Sequence, residues 1–142
     1  MALYFAYGQL MNPDGMEKRC PGGKAIGPAF MEGYRFIVTS EGTTSMVQAP
    51  GSRVHGVLWD VRIGHVATID GAEALFRKAQ HKVFLPVRSG PVTRNALVYF
   101  SQTARTGSPH AKIWHDVMVG ATHWGFPKTY IEELKGWESR RQ

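Results

Sequence analysis

The pattern of apolar and polar positions along the chain predicts several short strands separated by turn residues. Glycines and prolines between the apolar runs, such as Gly33, Gly42 and Pro50, mark the expected turns. The ends of the last two strands suggest a hairpin that turns at residues 89–91. The strand candidates are residues 3–7, 25–31, 34–39, 43–48, 53–61, 77–87 and 93–101.

Helices are predicted at two places in the first half of the chain. Asn12 is a typical N-cap residue and Pro13 suits the first helical position, so a short helix is expected from there to about residue 19. A second helix is expected over residues 63–71, because Ile63, Val66 and Ile69 recur at intervals of three.

The second half of the chain predicts two more helices. One is capped by Ser108 and Pro109, and the other runs over residues 128–135 and stops at Gly136. The inward stripe of the first of these is Trp114, Val117, Met118 and Ala121.

The order of these elements indicates an α+β fold rather than a regular alternation of strands and helices. The segment 53–61 (RVHGVLWDV) is apolar at both parities, which is typical of a strand covered on both faces. Since no repeat or linker is visible, we expect one domain over residues 1–136 and a short C-terminal tail over residues 137–142.

The composition of the chain argues against several kinds of protein and site. The chain has 142 residues, of which 43% are hydrophobic, so it can bury a core without cross-links. Cys20 is the only cysteine, and the six histidines do not recur at metal-ligand spacing, so neither a disulfide nor a metal site is expected. The N-terminal residues do not resemble a signal peptide and no apolar run is long enough to span a membrane, so we expect a cytoplasmic protein.

The net charge of +6 raises the question of a nucleic-acid partner. Cationic residues never occur in runs longer than two, and none lies in a nucleic-acid-binding motif. We therefore expect no nucleic-acid and no membrane partner. A dispersed basic surface instead suits a small anionic substrate, which it attracts electrostatically.

The end of the first strand is the first candidate site. Gly8 follows the strand directly and a helix begins a few residues later, so free backbone N–H groups could form a cradle for an anion. The alternative is a turn that simply requires a small residue.

Glu73 is the second candidate. It is expected just after the second helix, among small and apolar neighbours, where desolvation would favour the protonated form that acid/base chemistry uses. A salt bridge from Arg77 or Lys78 would instead favour the charged form of Glu73. The alternative is an exposed glutamate at a helix end, and Asp70 is a weaker candidate that could instead cap the helix.

Several segments in order along nearly the whole chain carry recognisable motifs. The chain has YGQLM at 7–11, GPAFMEGYRF at 27–36, APGSRVHGVLW at 49–59, IDGAEA at 69–74, GSP at 107–109 and GATHWGFPKTYI at 120–131. These resemble the γ-glutamylcyclotransferase family, including its AIG2-like members, whose motifs are Tyr-Gly-Ser-Asn-Leu/Met, G-x-A-x-L-x-G-Y-R-F, P-G-x-x-V-x-G-V-L-W, L-D-x-x-E-G, G-x-P and G-A-x-x-x-G-L-P-x-x-Y-I. Gln9 and Leu10 stand where the family has Ser and Asn.

The resemblance implies a mixed β-barrel flanked by helices, with the active pocket at its mouth. It implies an enzyme of acyltransferase or lyase type that cyclises a γ-glutamyl amine or peptide to 5-oxoproline, without a cofactor. Glu73 would be the catalytic acid/base, and the loop of Tyr7, Gly8, Gln9, Leu10 and Met11 would bind the substrate. The alternative is a relative that kept the barrel and binds a ligand or protein without catalysis.

Overall fold

Five strands close into a barrel, and four helices lie outside it. The structure, a computed structural model, describes residues 2–79 and 81–138. The strands are β1 (Ala2–Ala6), β2 (Lys24–Val38), β3 (Thr44–Val61), β4 (His81–Ser89) and β5 (Val92–Phe100). The helices are α1 (Pro13–Arg19), α2 (Val66–Phe76), α3 (Ala111–His123) and α4 (Lys128–Glu138), with 3-10 turns at Gln9–Met11 and Ile63–His65.

The strand order around the barrel is β1-β3-β2-β4-β5. All neighbours are antiparallel except β1 and β5, which meet in parallel at Tyr4 and Leu97 and close the barrel. The predicted α+β fold with a mixed barrel is therefore confirmed.

Two of the predicted turns are wrong, because β2 and β3 are each one long strand. Segments 25–31 and 34–39 join in β2, and segments 43–48 and 53–61 join in β3. Gly33 and Gly51 both have φ of 86°. The register between the strands shifts between Glu32 and Tyr34, so the glycines bend the paired strands without ending them.

The segment that was expected to be covered on both faces is indeed buried on both. Val57 and Leu58 alternate across β3 and are both fully buried. Trp59, on the same face as Val57, packs edge-on against Trp124 at the end of α3, with ring centroids 5.8 Å apart. Both faces of β3 are therefore covered at these positions.

The second helix is longer than predicted. It reaches Phe76, because Ala72 and Glu73 continue the buried stripe that begins at Ile69. Glu73 therefore lies within α2 rather than after it. Arg77, predicted to begin a strand, is instead the C-cap residue of α2, and β4 begins four residues later.

The boundaries of the last two helices also differ from the prediction. His110, not Ser108 or Pro109, is the N-cap of α3, and its N–H donates to Gly42 O at 3.0 Å. Of the predicted stripe of α3, Trp114, Val117 and Ala121 are buried and Met118 is half-buried.

α4 continues through Gly136, because Trp137 is buried and packs edge-on against Phe36. The first two residues of the predicted tail thus belong to this helix, and residues 139–142 lie outside the described residues.

Lys78 is a non-glycine residue in the left-handed region, with φ of 53°, directly after α2. Lys78→Gly should raise the free energy of unfolding by about 0.5–1 kcal/mol, because glycine adopts this conformation without steric cost. The exposed Lys78–Glu41 ion pair that is lost contributes less than this. Urea unfolding measures the change. Lys78→Ala, which removes the pair and keeps the unfavourable φ, is the control, and equal stabilities of the two variants would contradict the prediction.

Candidate functional site

The two candidate segments meet at one end of the barrel, around the side chain of Arg77. A Cβ atom at Gly8 would lie 2.6 Å from Arg77 Nη2 and 2.6 Å from Thr44 Oγ1. On the other side, Arg77 Nη1 donates to Glu73 Oε1, four residues earlier on α2. Gly8 and Glu73 thus lie on opposite sides of a single guanidinium group.

Glu73 is only 4% exposed, so the alternative of an exposed glutamate at a helix end is excluded. Its surroundings are polar, however, and not apolar as expected. Oε2 accepts a hydrogen bond from the Tyr4 hydroxyl, and Oε1 accepts one from Arg77. A cation and a phenol therefore engage both carboxylate oxygens, which is the arrangement that a buried charge requires.

Arg77 is equally buried, at 4% exposure, and makes four further contacts. Nε donates to Thr44 O at 2.7 Å, Nη2 donates to Thr44 Oγ1 at 3.1 Å, and Nη1 has a long contact of 3.5 Å to Tyr99 O. The guanidinium carbon lies 4.1 Å from the centroid of the Tyr7 ring. Burial alone would lower the pKa of Arg77, but the Glu73 carboxylate and the nearby phenols raise it, so the group stays charged.

The tyrosines around this pair remain protonated donors. Burial, reinforced by the Glu73 charge, holds the pKa of Tyr4 well above its usual value. Burial also raises the pKa of Tyr7, whose hydroxyl donates to Tyr99 O at 2.5 Å. A phenol that keeps its proton can orient the Glu73 carboxylate but does not compete with it as a base.

Asp70 belongs to a separate surface cluster. Its carboxylate accepts hydrogen bonds from the Tyr99 hydroxyl at 2.5 Å and from Lys82 Nζ at 3.1 Å. Burial acts to raise the pKa of Asp70, but these two bonds outweigh it and the pKa is lowered. Asp70 therefore connects α2 to β4 and β5, and neither caps the helix nor joins Glu73.

The five predicted loop residues divide into three groups. Tyr7 and Gly8 contact Arg77, whereas the side chains of Leu10 and Met11 are buried in the core. Gln9 lines a cavity of about 540 Å³, and its Oε1 atom has no hydrogen-bond partner among the described residues. The N-cap residue of α1 and five charged residues of α1 and α3, three basic and two acidic, also line this cavity: Asn12, Asp14, Lys18, Arg19, Lys112 and Asp116.

Sequence reasoning named Glu73 and Gly8 but missed Tyr4 and Thr44, which complete the network. The spacing of four residues between Glu73 and Arg77 is that of an ion pair on a helix. Arg77 was expected only as a charge that would oppose protonation of Glu73, because the predicted helix ends at residue 71 and so does not place the two residues on one helix face. For Tyr4 no local signal exists, since it lies 69 residues from its partner.

Other types of site find little support in the described part of the chain. It holds no group of three or more His, Cys, Asp or Glu side chains placed to bind a metal ion. Burial raises the pKa of the Cys20 thiol, which disfavours the reactive thiolate. None of the described helices is long and apolar enough to cross a membrane.

Among known protein families, one family model matches the chain. The family model "Gamma-glutamyl cyclotransferase, AIG2-like" matches residues 4–116. No curated protein matches the chain in sequence.

Solved structures show the same fold. A gamma-glutamyl cyclotransferase is 21% identical, with a TM-score of 0.84 over 96% of this chain and 88% of the other. An uncharacterized protein from Homo sapiens is 22% identical, with the same TM-score and coverage. An AIG2-like protein from Mus musculus is 20% identical, with a TM-score of 0.59 over 72% of this chain and 78% of the other. At these identities, the similarity concerns the fold alone.

Proposed function

This chain belongs to the gamma-glutamyl cyclotransferase, AIG2-like family, and we propose that it cyclises a γ-glutamyl amine or peptide to 5-oxoproline and releases the amine. The family and the fold support a cyclotransferase-like function. The observation that carries the finer proposal is the buried carboxylate of Glu73, which contacts the Arg77 cation, with the Gly8 loop on the other side of that cation.

The proposed reaction needs no group beyond the substrate and a proton carrier. The α-amino nitrogen attacks the γ-carbonyl carbon of the same molecule, a carbon–nitrogen bond closes the five-membered ring, and the bond to the leaving amine breaks. Because the nucleophile and the carbonyl belong to one molecule, holding them in a reactive geometry lowers the barrier substantially. No cofactor is required for this chemistry.

Glu73 is proposed to carry the proton. It would accept a proton from the substrate ammonium, whose free pKa lies near 7.7–8.0, and donate it to the departing nitrogen. Tyr4 would hold Glu73 Oε2 in place during this cycle. General acid/base catalysis requires such a fixed group within hydrogen-bonding distance of the reacting nitrogen.

The loop after β1 is proposed to bind the polar groups of the substrate through its backbone. The N–H of Met11 already donates to Gly8 O at 3.2 Å, so the proposal rests on the N–H groups of Gly8, Gln9 and Leu10. Gln9 also lines the cavity in which three basic residues, Lys18, Arg19 and Lys112, outnumber two acidic ones, and this excess of positive charge suits a small anionic γ-glutamyl substrate.

The non-catalytic alternative is favoured by one observation. Glu73 and Arg77 are both almost fully buried and hydrogen-bonded to each other, as in a purely structural ion pair. In that case the protein would bind a ligand or partner and would release no product.

A product assay distinguishes the two functions. The purified protein is incubated with γ-glutamyl amino acids, γ-glutamyl dipeptides and γ-glutamyl alkylamines, and 5-oxoproline and free amine are quantified by mass spectrometry. The proposal predicts equal amounts of the two products from at least one substrate. D-γ-glutamyl isomers of the same compounds are the control for spontaneous cyclisation. Absence of 5-oxoproline above this background across the panel would contradict catalysis and favour the non-catalytic function.

A further inference from the structure

The guanidinium of Arg77 lies between the Glu73 carboxylate and the loop at Gly8, the two groups that the proposed function assigns to the substrate. It touches the Glu73 carboxylate on one side, and it lies against the Tyr7 ring and the backbone of Gly8 on the other. The substrate's ammonium has to reach Glu73 to lose its proton. Tyr4 engages Oε2 and Arg77 Nη1 engages Oε1, and the position of Nη1 is the one that already holds a cation.

The charge of the incoming ligand decides whether this exchange is favourable. A ligand that carries only an ammonium group would pair with Glu73 and leave the buried Arg77 without a counter-charge. A ligand that carries only a carboxylate would pair with Arg77 and leave Glu73 uncompensated. A ligand that carries both groups keeps both buried residues paired, and an α-amino acid head group has both on one carbon atom.

We propose that Arg77 is a substrate-binding residue that selects a zwitterionic α-amino acid head group by exchange of ion pairs with Glu73. On binding, the ligand ammonium replaces Arg77 at Glu73, and the ligand carboxylate replaces Glu73 at Arg77. This inference rests on the proposed function, because it concerns the recognition of the substrate in the same site.

The contacts of Arg77 allow such an exchange with a small movement. Its Nε atom donates to Thr44 O at 2.7 Å and its Nη2 atom donates to Thr44 Oγ1, and neither bond involves Glu73. Only the Nη1 bond has to change its partner. Because the guanidinium is planar, Nη1 leaves Glu73 only when the whole group tilts, and the two Thr44 acceptors keep the group close to the site during this tilt.

The test compares two substrates that differ only in the α-carboxylate. γ-Glutamyl-alanine yields 5-oxoproline, whereas 4-aminobutyryl-alanine, which lacks that group, yields 2-pyrrolidinone by the same ring closure. For the wild type we expect kcat/KM to be roughly 10- to 100-fold higher for the γ-glutamyl compound. In Arg77→Met this preference should fall to within a few-fold, mainly through a higher KM for γ-glutamyl-alanine. An unchanged preference in Arg77→Met would overturn the proposal.

Arg53→Met is the matched control. Arg53 also pairs with a glutamate, Glu32, and its guanidinium carbon lies 4.3 Å from the Phe30 ring centroid, but this pair is on the surface. Its replacement should leave the substrate preference as it is in the wild type. If Arg77→Met does not fold, Arg77→Lys takes its place. Lysine keeps the charge but lacks the planar fork of donors, so the preference should fall by about tenfold, and full retention would overturn the proposal.

A binding measurement separates this inference from the proposed function. Calorimetry compares L-glutamine, which has the complete head group, with 4-aminobutanamide and with glutaramate, which lack its carboxylate and its ammonium respectively. Selective binding of L-glutamine that is lost in Arg77→Met supports the inference even if no compound is turned over. Turnover of both alanine compounds at equal kcat/KM by the wild type would support the function and overturn the inference.

Discussion

Glu73→Gln should lower the rate of 5-oxoproline formation by at least about 100-fold, because an amide of the same shape cannot accept and return a proton. The substituted side chain can still accept a hydrogen bond from Tyr4 through its carbonyl oxygen. Substrate binding should weaken as well, because the ligand ammonium loses the carboxylate with which it pairs, so KM should rise while kcat falls. The measurement is kcat and KM for the best substrate of the panel, at a temperature where the variant is folded.

The same substitution should also lower the free energy of unfolding, because Arg77 loses its counter-charge while it remains buried. Breaking one side of a buried ion pair typically costs about 3–5 kcal/mol. The double variant Glu73→Gln/Arg77→Met removes both charges and should recover most of this stability without recovering turnover. The single and the double variant of this ion pair thus distinguish an effect on stability from an effect on catalysis.

Glu132→Gln provides the control for a glutamate with no expected role. Glu132 is exposed on α4, so its replacement should change stability by no more than about 0.5 kcal/mol and leave turnover as it is. Wild-type turnover in a folded Glu73→Gln variant would show that Glu73 is not the acid/base.

The types of the secondary-structure elements could be predicted from the sequence, but their lengths could not. The apolar pattern identifies each strand region and each helix, whereas of the predicted caps only Asn12 is confirmed. The sequence predicts turns at Gly33 and at Pro50-Gly51, yet β2 and β3 continue past both positions, because they pair again on either side of a register shift. Long-range hydrogen bonds override the local preference of glycine for turns, and a local pattern holds no information about such pairing.

Only those residues of the candidate site that lie in motif segments could be predicted from the sequence. Glu73 and Gly8 lie in segments that resemble family motifs, so both were identified. Tyr4 and Thr44 reach the site through the closure of the barrel, and partners that are distant in sequence leave no local pattern. Arg77 was considered as an opposing charge, but its central position depends on α2 continuing to Phe76.

Gly56 lies on β3 directly beside β1, and its replacement should destabilise the fold through a steric clash. A Cβ atom at this position would lie 2.4 Å from Ala6 O and 2.7 Å from Phe5 Cζ. The carbonyl oxygen belongs to the backbone of β1, which is held in register against β3 by pairs such as Ala6 with Val57. Neither contact can be relieved by turning a flexible side chain.

Gly56→Ala should therefore lower the free energy of unfolding by about 3 kcal/mol, the upper end of what an added methyl group costs in a packed interior. Gly71→Ala is the matched control, because Gly71 is exposed within α2 and a Cβ there meets nothing within 4 Å. Alanine in a helix interior should raise stability by about 0.5–1 kcal/mol. Urea unfolding of both variants measures the contrast, and a Gly56→Ala variant as stable as the wild type would contradict the close approach of the two strands. Since β1 also carries Tyr4 and leads into Gly8, its displacement should reduce turnover as well.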